Sequence, residues 1–246
     1  MSKHLSLRSG NPALSAETFK GFTIQSDEVM TINGTVNKTA IGLLLLIAAG
    51  SFTFSGNYQG LILPGMLGGF IVAIITIFKK EWSPITVPIY AVLKGLALGA
   101  ISQMYAEMFE GIVSQAILLT LAILFSLLFA YKTKLIAATE NFKLGVFAAT
   151  AGIAVFYVVS FFIGLFTGGY PEVLNPLNGG LMSIGLSLFI VVIASLNLVL
   201  DFDFIEEGAE KGVPKYMEWF GAFGLLVTLV WLYLEILRLL AKLRSR

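Results

Sequence analysis

The sequence predicts an all-α protein that crosses a membrane seven times, and three observations support this prediction. Of its 246 residues, 57% are hydrophobic and only 13% are charged, which is about half the charged fraction of an average soluble domain. The mean hydropathy is +0.87. The apolar residues also fall into seven runs, each close to the roughly 20 residues that a helix needs to span a bilayer.

The seven runs follow one another after a polar N-terminal segment. Residues 1–36 are predicted to form a cytoplasmic tail, with a short amphipathic piece around residues 15–21, and residues 37–246 to form the transmembrane domain. Because hydropathy places the edges of a span only to within a few residues, these bounds are approximate. The runs lie near 38–56, 61–78, 87–108, 111–131, 143–167, 178–200 and 216–240.

Charged loops between the runs indicate an orientation. Lysine residues cluster at Lys79 and Lys80 and at Lys132, Lys134 and Lys143, and others lie in the otherwise acidic connector 201–215. With the N-terminus in the cytoplasm, 11 of the 16 Lys and Arg residues lie on cytoplasmic segments, 4 lie outside and 1 lies within a span. Because cytoplasmic loops are enriched in Lys and Arg, we expect this orientation. The basic C-terminus would then lie outside.

Composition excludes several classes of function. The chain has no cysteine and one histidine, His4 in the polar segment, so a thiolate site or a Ser-His-Asp triad within the membrane is excluded. Nearly balanced charges, 16 basic against 15 acidic, argue against nucleic-acid binding. An intramembrane aspartyl protease needs aspartates on two spans, but the seventh run has none and no Gly-x-Gly-Asp motif occurs. We therefore expect a protein that is not an enzyme and has no cofactor.

Small residues recur at helical spacing in two of the runs. Gly95 and Gly99 lie four residues apart in the third run, and Gly145, Ala149 and Gly152 lie near one face of the fifth. Because such spacings let the backbones of membrane helices approach closely, we expect both sets to pack against neighbouring helices.

Charged and polar residues inside the runs are the candidate functional residues. A charge in the hydrocarbon costs at least about 2.5–3.5 kcal/mol on insertion scales and usually faces the bundle interior. Asn197 and Asp201 share a helix face because they lie four residues apart, and Asp203 follows. Lys94 lies inside the third run at a similar depth. We expect Asp201 to pair with Lys94, with Asp203 or a cytoplasmic-end lysine as the alternative partners. Removing Asp201 would then raise ion leak, and removing Lys94 would do the same if it is the partner.

Each of these residues also has a simpler interpretation. Asp201 and Asp203 could be a solvated helix end, and the long stem of Lys94 could carry its ammonium to the headgroups. Glu235, late in the seventh run, could pair with Arg238 three residues later on the same face.

The C-terminal half has a distinctive order of features. An aspartate closes the sixth run, an acidic connector follows, and the seventh run ends in Leu-Tyr-Leu and Leu-Arg-Leu-Leu patterns at 232–234 and 237–240. In these features it resembles the Bax inhibitor-1, or transmembrane Bax-inhibitor-motif, superfamily, in its bacterial branch. Segment 214–240 contributes most to the likeness. Near the N-terminus, Asn11–Leu14 and Gly34–Thr39 are similar to a subgroup with a longer tail.

The resemblance implies six helices around a central seventh, in a bacterial inner membrane, and a pH-sensitive leak of calcium. Members carry two aspartates that share a proton. Asp201 matches the first and is a candidate calcium contact, whereas Thr228 or Glu235 takes the place of the second, depending on which Leu pattern is aligned. Lys79 or Lys80 would act with Glu218 as a cytoplasmic latch.

The functional alternative is a membrane protein that transports nothing and instead regulates a membrane protease or translocase. The sequence favours the leak channel because of the resemblance and the intramembrane carboxylates. Calcium flux into liposomes that contain only the purified protein separates the two.

Overall fold

The protein consists of seven long helices in the computed structural model, which describes residues 28–56, 58–169 and 171–246. The amphipathic piece expected at 15–21 lies outside the described residues. All seven helices are long and apolar enough to cross a membrane, which confirms the predicted spans. They are α1 (Ile32–Phe54), α2 (Ile62–Phe78), α3 (Ser83–Met108), α4 (Ile112–Lys132), α5 (Glu140–Thr167), α6 (Leu181–Glu210) and α7 (Met217–Arg244).

The largest differences from the predicted runs lie at helix ends, where capping and not hydropathy sets the boundary. α1 begins six residues before its apolar run because the Thr31 hydroxyl caps it, accepting a hydrogen bond from the Gly34 amide at 2.9 Å. α6 continues to Glu210, so most of the predicted acidic connector is helical. Only residues 211–216 join α6 to α7.

α7 lies at the centre of the bundle, as the resemblance implies. In its most apolar 18-residue window 78% of the residues are buried, against 56% for α3 and α6 and 17% for each of the other four helices. It packs against α1, α3, α4 and α6. No residue from Val227 to Leu234 is exposed, which confirms that α7 is an interior helix and not a lipid-facing one.

Small residues bring α1 and α3 together as expected, but they do not do so for α5. A Cβ on Gly95 would lie 2.3 Å from the Leu46 carbonyl oxygen, and one on Gly99 would lie 2.0 Å from the Gly50 carbonyl oxygen. For Gly145 and Gly152 the same position meets nothing within 4 Å. The packing predicted for the α5 glycines is therefore wrong, because they lie on the exposed side of a peripheral helix.

The helix ends form two distinct surfaces. The first is formed by the start of α1 and the α2–α3, α4–α5 and α6–α7 loops, and we call it the basic end. Its loops contact one another: the Ser83 hydroxyl donates to the Tyr216 carbonyl oxygen at 3.0 Å, and the Met30 amide donates to that of Val213 at 2.8 Å. Residues 28–31, at the end of the predicted tail, therefore dock on the α6–α7 loop. The C-terminal end carries the α1–α2, α3–α4 and α5–α6 loops.

Candidate functional site

Asp201 lies in α6 on the face directed at the central helix. Its exposed fraction is 0%. Ile205, one turn later on the same face, lies 3.2 Å from where a Cβ of Gly221 would stand, and the Phe204 and Phe220 ring centroids are 6.2 Å apart. Asp201 is therefore about level with Gly224 of α7. A solvated helix end does not describe this position, and carboxylates buried in a membrane bundle usually serve a function.

Asn197 continues this polar face one turn deeper, as predicted. It is buried, and its amide nitrogen donates to the Thr150 hydroxyl of α5 and to the Ile193 carbonyl oxygen, both at 2.8 Å. Its Oδ1 has no hydrogen-bond partner among the described residues. Buried acceptors are normally satisfied, so this oxygen is a candidate acceptor in the polar face.

Asp203 has a different role from Asp201. Its carboxylate pairs with Lys143 at 2.6 Å, across the start of α5. Lys143 is buried within the first turn of α5, which Thr139 caps, although the sequence suggested only a flanking loop residue. The signal that could have identified it is its position at the entry to the fifth apolar run.

Lys94 does not form the ion pair predicted with Asp201. Its ammonium lies 3.8 Å from the Met66 sulfur of α2 and 6.0 Å from the Tyr90 ring centroid. Its stem fills the space beside Gly69, where a Cβ would come within 2.9 Å of it. Because Gly69 has no side chain, the stem of Lys94 can lie against α2. This lysine therefore belongs to the α2–α3 interface and not to the polar face of α6.

An apolar layer follows Asn197 toward the C-terminal end. Ile153, Ile190 and Ile193 form a buried cluster against which Trp231 and Tyr157 pack. The layer lies where α5, α6 and α7 meet. It separates the polar residues near the basic end from a second polar group beyond it.

Glu235, Arg238 and Tyr157 make up this second polar group. The Arg238 guanidinium contacts the Glu235 carboxylate at 3.0 Å, which confirms the expected pair. The Tyr157 hydroxyl of α5 donates to Glu235 at 2.8 Å and accepts from Arg238 at 2.7 Å. The sequence did not indicate Tyr157, because the meeting of α5 and α7 depends on how the helices are rotated.

Neither candidate for the second aspartate lies opposite Asp201. Trp231 packs at the level of Ile190 and Ile193, so Glu235 lies about a turn further toward the C-terminal end. Thr228 is buried, but it lies about one turn beyond Gly224, at the level of Asn197. Asn197 and Thr228 therefore lie within about one helical turn of the depth of Asp201, whereas the other carboxylate, Glu235, belongs to a separate cluster.

Lys242 ends the sequence of polar groups at the C-terminal end. Its ammonium donates to the carbonyl oxygens of Val173 and Ser183 at 2.7 and 3.2 Å and to the Ser187 hydroxyl at 2.9 Å. The sequence analysis assigned it no role beyond its charge. Together these groups form a series between α5, α6 and α7 that runs from the basic end to the C-terminal end, and we call this series the polar seam. Its members, in that order, are Asp203–Lys143, Asp201, Asn197–Thr150, Glu235–Arg238–Tyr157 and Lys242–Ser187.

The latch expected at the basic end uses a different cation in this structure. Glu218 pairs with Lys38 of α1 at 2.9 Å and accepts hydrogen bonds from the amide and hydroxyl of Thr31 at 3.1 and 2.9 Å. Lys80 lies 5.8 Å from the centroid of the Phe220 ring, and Lys79 is exposed. Sequence reasoning missed Lys38 because it stands at the edge of the first predicted run, where it was counted only as a cytoplasmic charge.

Among the described residues, no three histidine, aspartate or glutamate side chains come together as a metal site. A cavity of about 450 Å³ between α1, α3, α4 and α7 is lined mainly by apolar side chains. Because a dehydrated cation needs oxygen ligands, we place the candidate site in the seam and not in this cavity.

Comparison with known proteins agrees with the architecture. The family model described as Bax inhibitor 1 like matches residues 11–245. No curated protein and no solved structure matched the chain. The match spans nearly the whole sequence and includes all seven helices, so the chain belongs to the Bax inhibitor 1 like family.

Proposed function

We propose that this protein is a calcium leak channel of the bacterial inner membrane, with its N-terminus in the cytoplasm and its ion path along the polar seam. Family membership and seven spans support the proposal. The observation that carries it is Asp201, a carboxylate with no exposed surface on the α7-facing side of α6. It lies one turn from Asn197 Oδ1, which accepts no hydrogen bond from the part of the chain that the structure describes. Carboxylate and amide oxygens are the ligands that calcium prefers.

In this proposal the described conformation is closed at two levels. Met30 and the Glu218–Lys38 pair hold the start of α1 on the α6–α7 region at the basic end. The isoleucine layer interrupts the seam in the middle, where an apolar constriction resists the passage of a hydrated ion. Opening therefore requires α5 to separate from α6 and α7. Of these three helices, α5 has the fewest buried residues.

A path that depends on a carboxylate has a built-in response to pH. Protonation removes the negative charge that attracts calcium, so a flux that requires ionised Asp201 increases as pH rises. Flux is therefore compared between about pH 6 and 8. The seam supplies the groups for such a response without a second aspartate on α7.

The test is calcium flux into liposomes that contain only the purified protein. At an effective dielectric constant of 20, a unit charge about 4 Å from a carboxylate gains about 4 kcal/mol. Losing about a third of that energy weakens the binding of the ion about tenfold. Asp201→Asn should therefore lower calcium flux by about tenfold or more and flatten the pH profile of the flux. The expectation that this change raises leak depended on the Lys94 pair and is withdrawn with it.

Glu207→Gln is the matched control. It makes the same kind of change on the same helix, on a side chain that lies outside the seam and pairs with Lys211 at 2.6 Å, and it should leave flux within about twofold. Equal flux from Asp201→Asn and wild type would place the path elsewhere. Absence of flux from the wild type would refute the channel and leave a regulator of another membrane protein as the function to test.

A further inference from the structure

The Lys242 ammonium is fully enclosed, with an exposed fraction of 0%. Its three hydrogen-bond acceptors are two backbone carbonyl oxygens and one hydroxyl, at 2.7–3.2 Å. All three are neutral. Among the described residues Lys242 forms no ion pair, because the nearby carboxylate of Glu235 is already bound to Arg238 and Tyr157.

This environment is unusual for a buried charge. Buried charges are normally paired with an opposite charge, because desolvation is costly. Lys242 and Arg238 lie one turn apart on α7, so Glu235, Arg238 and Lys242 together carry one net positive charge. A free cation that moves along the seam toward the C-terminal end would meet this excess positive charge.

The oxygens around Lys242 belong to a preformed cage. Val173 lies in the α5–α6 connector, and its carbonyl oxygen also accepts a hydrogen bond from the Ser183 hydroxyl at 3.0 Å. Ser183 and Ser187 lie one turn apart on α6, and both are buried. The cage is therefore held by the connector and α6 and does not depend on the lysine alone.

The chemistry of the cage selects a particular class of ion. Neutral carbonyl and hydroxyl oxygens replace the hydration shell of weakly hydrated monovalent cations in selective pores. Calcium takes six to eight oxygens at about 2.3–2.6 Å, usually with carboxylates among them. Three neutral oxygens at the distances seen here suit an ammonium or a similar monovalent cation.

We propose that the cage is a monovalent-cation site occupied by the ammonium of Lys242, which acts as a tethered plug at the C-terminal end of the ion path. The binding site stands on the geometry alone, whereas its role as a plug rests on the proposed function. Ser187 lies ten residues from Asn197 on α6, so the plug is about 15 Å further along the seam. Displacing the ammonium opens this end.

Chemical rescue of Lys242→Ala tests the site. The substitution removes three methylenes and the ammonium, which together correspond to propylammonium. Propylammonium should raise the melting temperature of the purified variant saturably, by about 3 °C or more, and should leave the wild type unchanged. 1-Propanol, of similar size and uncharged, should have little effect. A further Ser187→Ala change should weaken the propylammonium response severalfold.

Flux in liposomes tests the plug. Lys242→Ala should pass monovalent cations at least about tenfold faster than the wild type, and propylammonium should reverse the increase. Lys94→Met is the matched control, because it removes a membrane-embedded lysine that lies against Met66 and Tyr90, away from the cage. It should leave monovalent flux near the wild-type value.

The outcomes separate the two parts of the proposal. No saturable stabilisation, or equal stabilisation by 1-propanol, overturns the cation site. Stabilisation without increased monovalent flux overturns the plug. If Lys242→Ala can be purified only when propylammonium is present, the cation site is supported. If the wild type shows no calcium leak but the variant binds propylammonium, the proposed function fails while the site stands.

Discussion

At the scale of single residues, Glu218 shows how one carboxylate joins two helices. It is buried at the start of α7, yet it reaches the N-terminus of α1, where the helix dipole favours a negative charge. Gly34 makes this approach feasible, because a Cβ there would lie 1.9 Å from the Glu218 carboxylate. The carboxylate therefore holds α1 to α7 where the basic end is closed.

Lys38→Met tests the importance of this contact. The change leaves the buried Glu218 carboxylate with only the Thr31 donors, and we expect it to lower stability by about 1–3 kcal/mol. Lys215→Met is the control, because Lys215 pairs with Glu28 at 3.2 Å where both side chains are largely exposed. Such surface pairs contribute about 0–1 kcal/mol. Unfolding in a denaturing detergent measures both variants, and equal losses would show that the Glu218 pair is not a distinct closure.

At the scale of elements, the α1–α3 interface depends on backbone contact, whereas the α5 interface combines polar contacts with the isoleucine layer at Ile153. Gly95 and Gly99 sit against the α1 backbone, whereas α5 is joined to its neighbours by Lys143, Thr150 and Tyr157. Within a membrane, close van der Waals packing is a main source of helix association. We therefore regard α1 and α3 as a rigid unit and α5 as the helix that can separate.

Gly99→Ala and Gly152→Ala compare these two interfaces with the same chemical change. At Gly99 the new methyl group would lie 2.0 Å from the Gly50 carbonyl oxygen and 2.1 Å from the Thr53 hydroxyl oxygen, so α1 must shift. Overpacking of this kind costs about 1–3 kcal/mol. At Gly152 the methyl group meets nothing within 4 Å. Thermal unfolding should show a lower midpoint for Gly99→Ala only, and equal midpoints would contradict a tight α1–α3 contact.

At the scale of the whole molecule, the number and order of the spans could be predicted because hydropathy is a local property of the chain. The partners of the charged residues could not, because they depend on how each helix is rotated and on gaps in its neighbours. For example, Gly69 leaves the space on α2 that the Lys94 side chain occupies. The connector at Val173 creates an environment for Lys242 that its sequence position, near a basic terminus, does not indicate.

The two ends of the molecule give the most direct test of its orientation. The structure gathers at one end the loops that contain Lys79, Lys80, Lys132, Lys134, Lys211 and Lys215. Cytoplasmic loops are enriched in such residues, so we expect this end to face the cytoplasm. The chain has no cysteine, and single cysteines can therefore be introduced at exposed positions without background labelling.

Thr133→Cys and Leu177→Cys provide the measurement, since the first lies in the α4–α5 loop at the basic end and the second in the α5–α6 loop at the opposite end. A membrane-impermeant maleimide applied to spheroplasts should label Leu177→Cys at once and Thr133→Cys only after permeabilisation. The reverse pattern would place the Asp201 half of the seam on the periplasmic side and the Lys242 cage in the cytoplasm. Calcium would then meet the carboxylate first on entering from outside, and the plug would close the cytoplasmic exit.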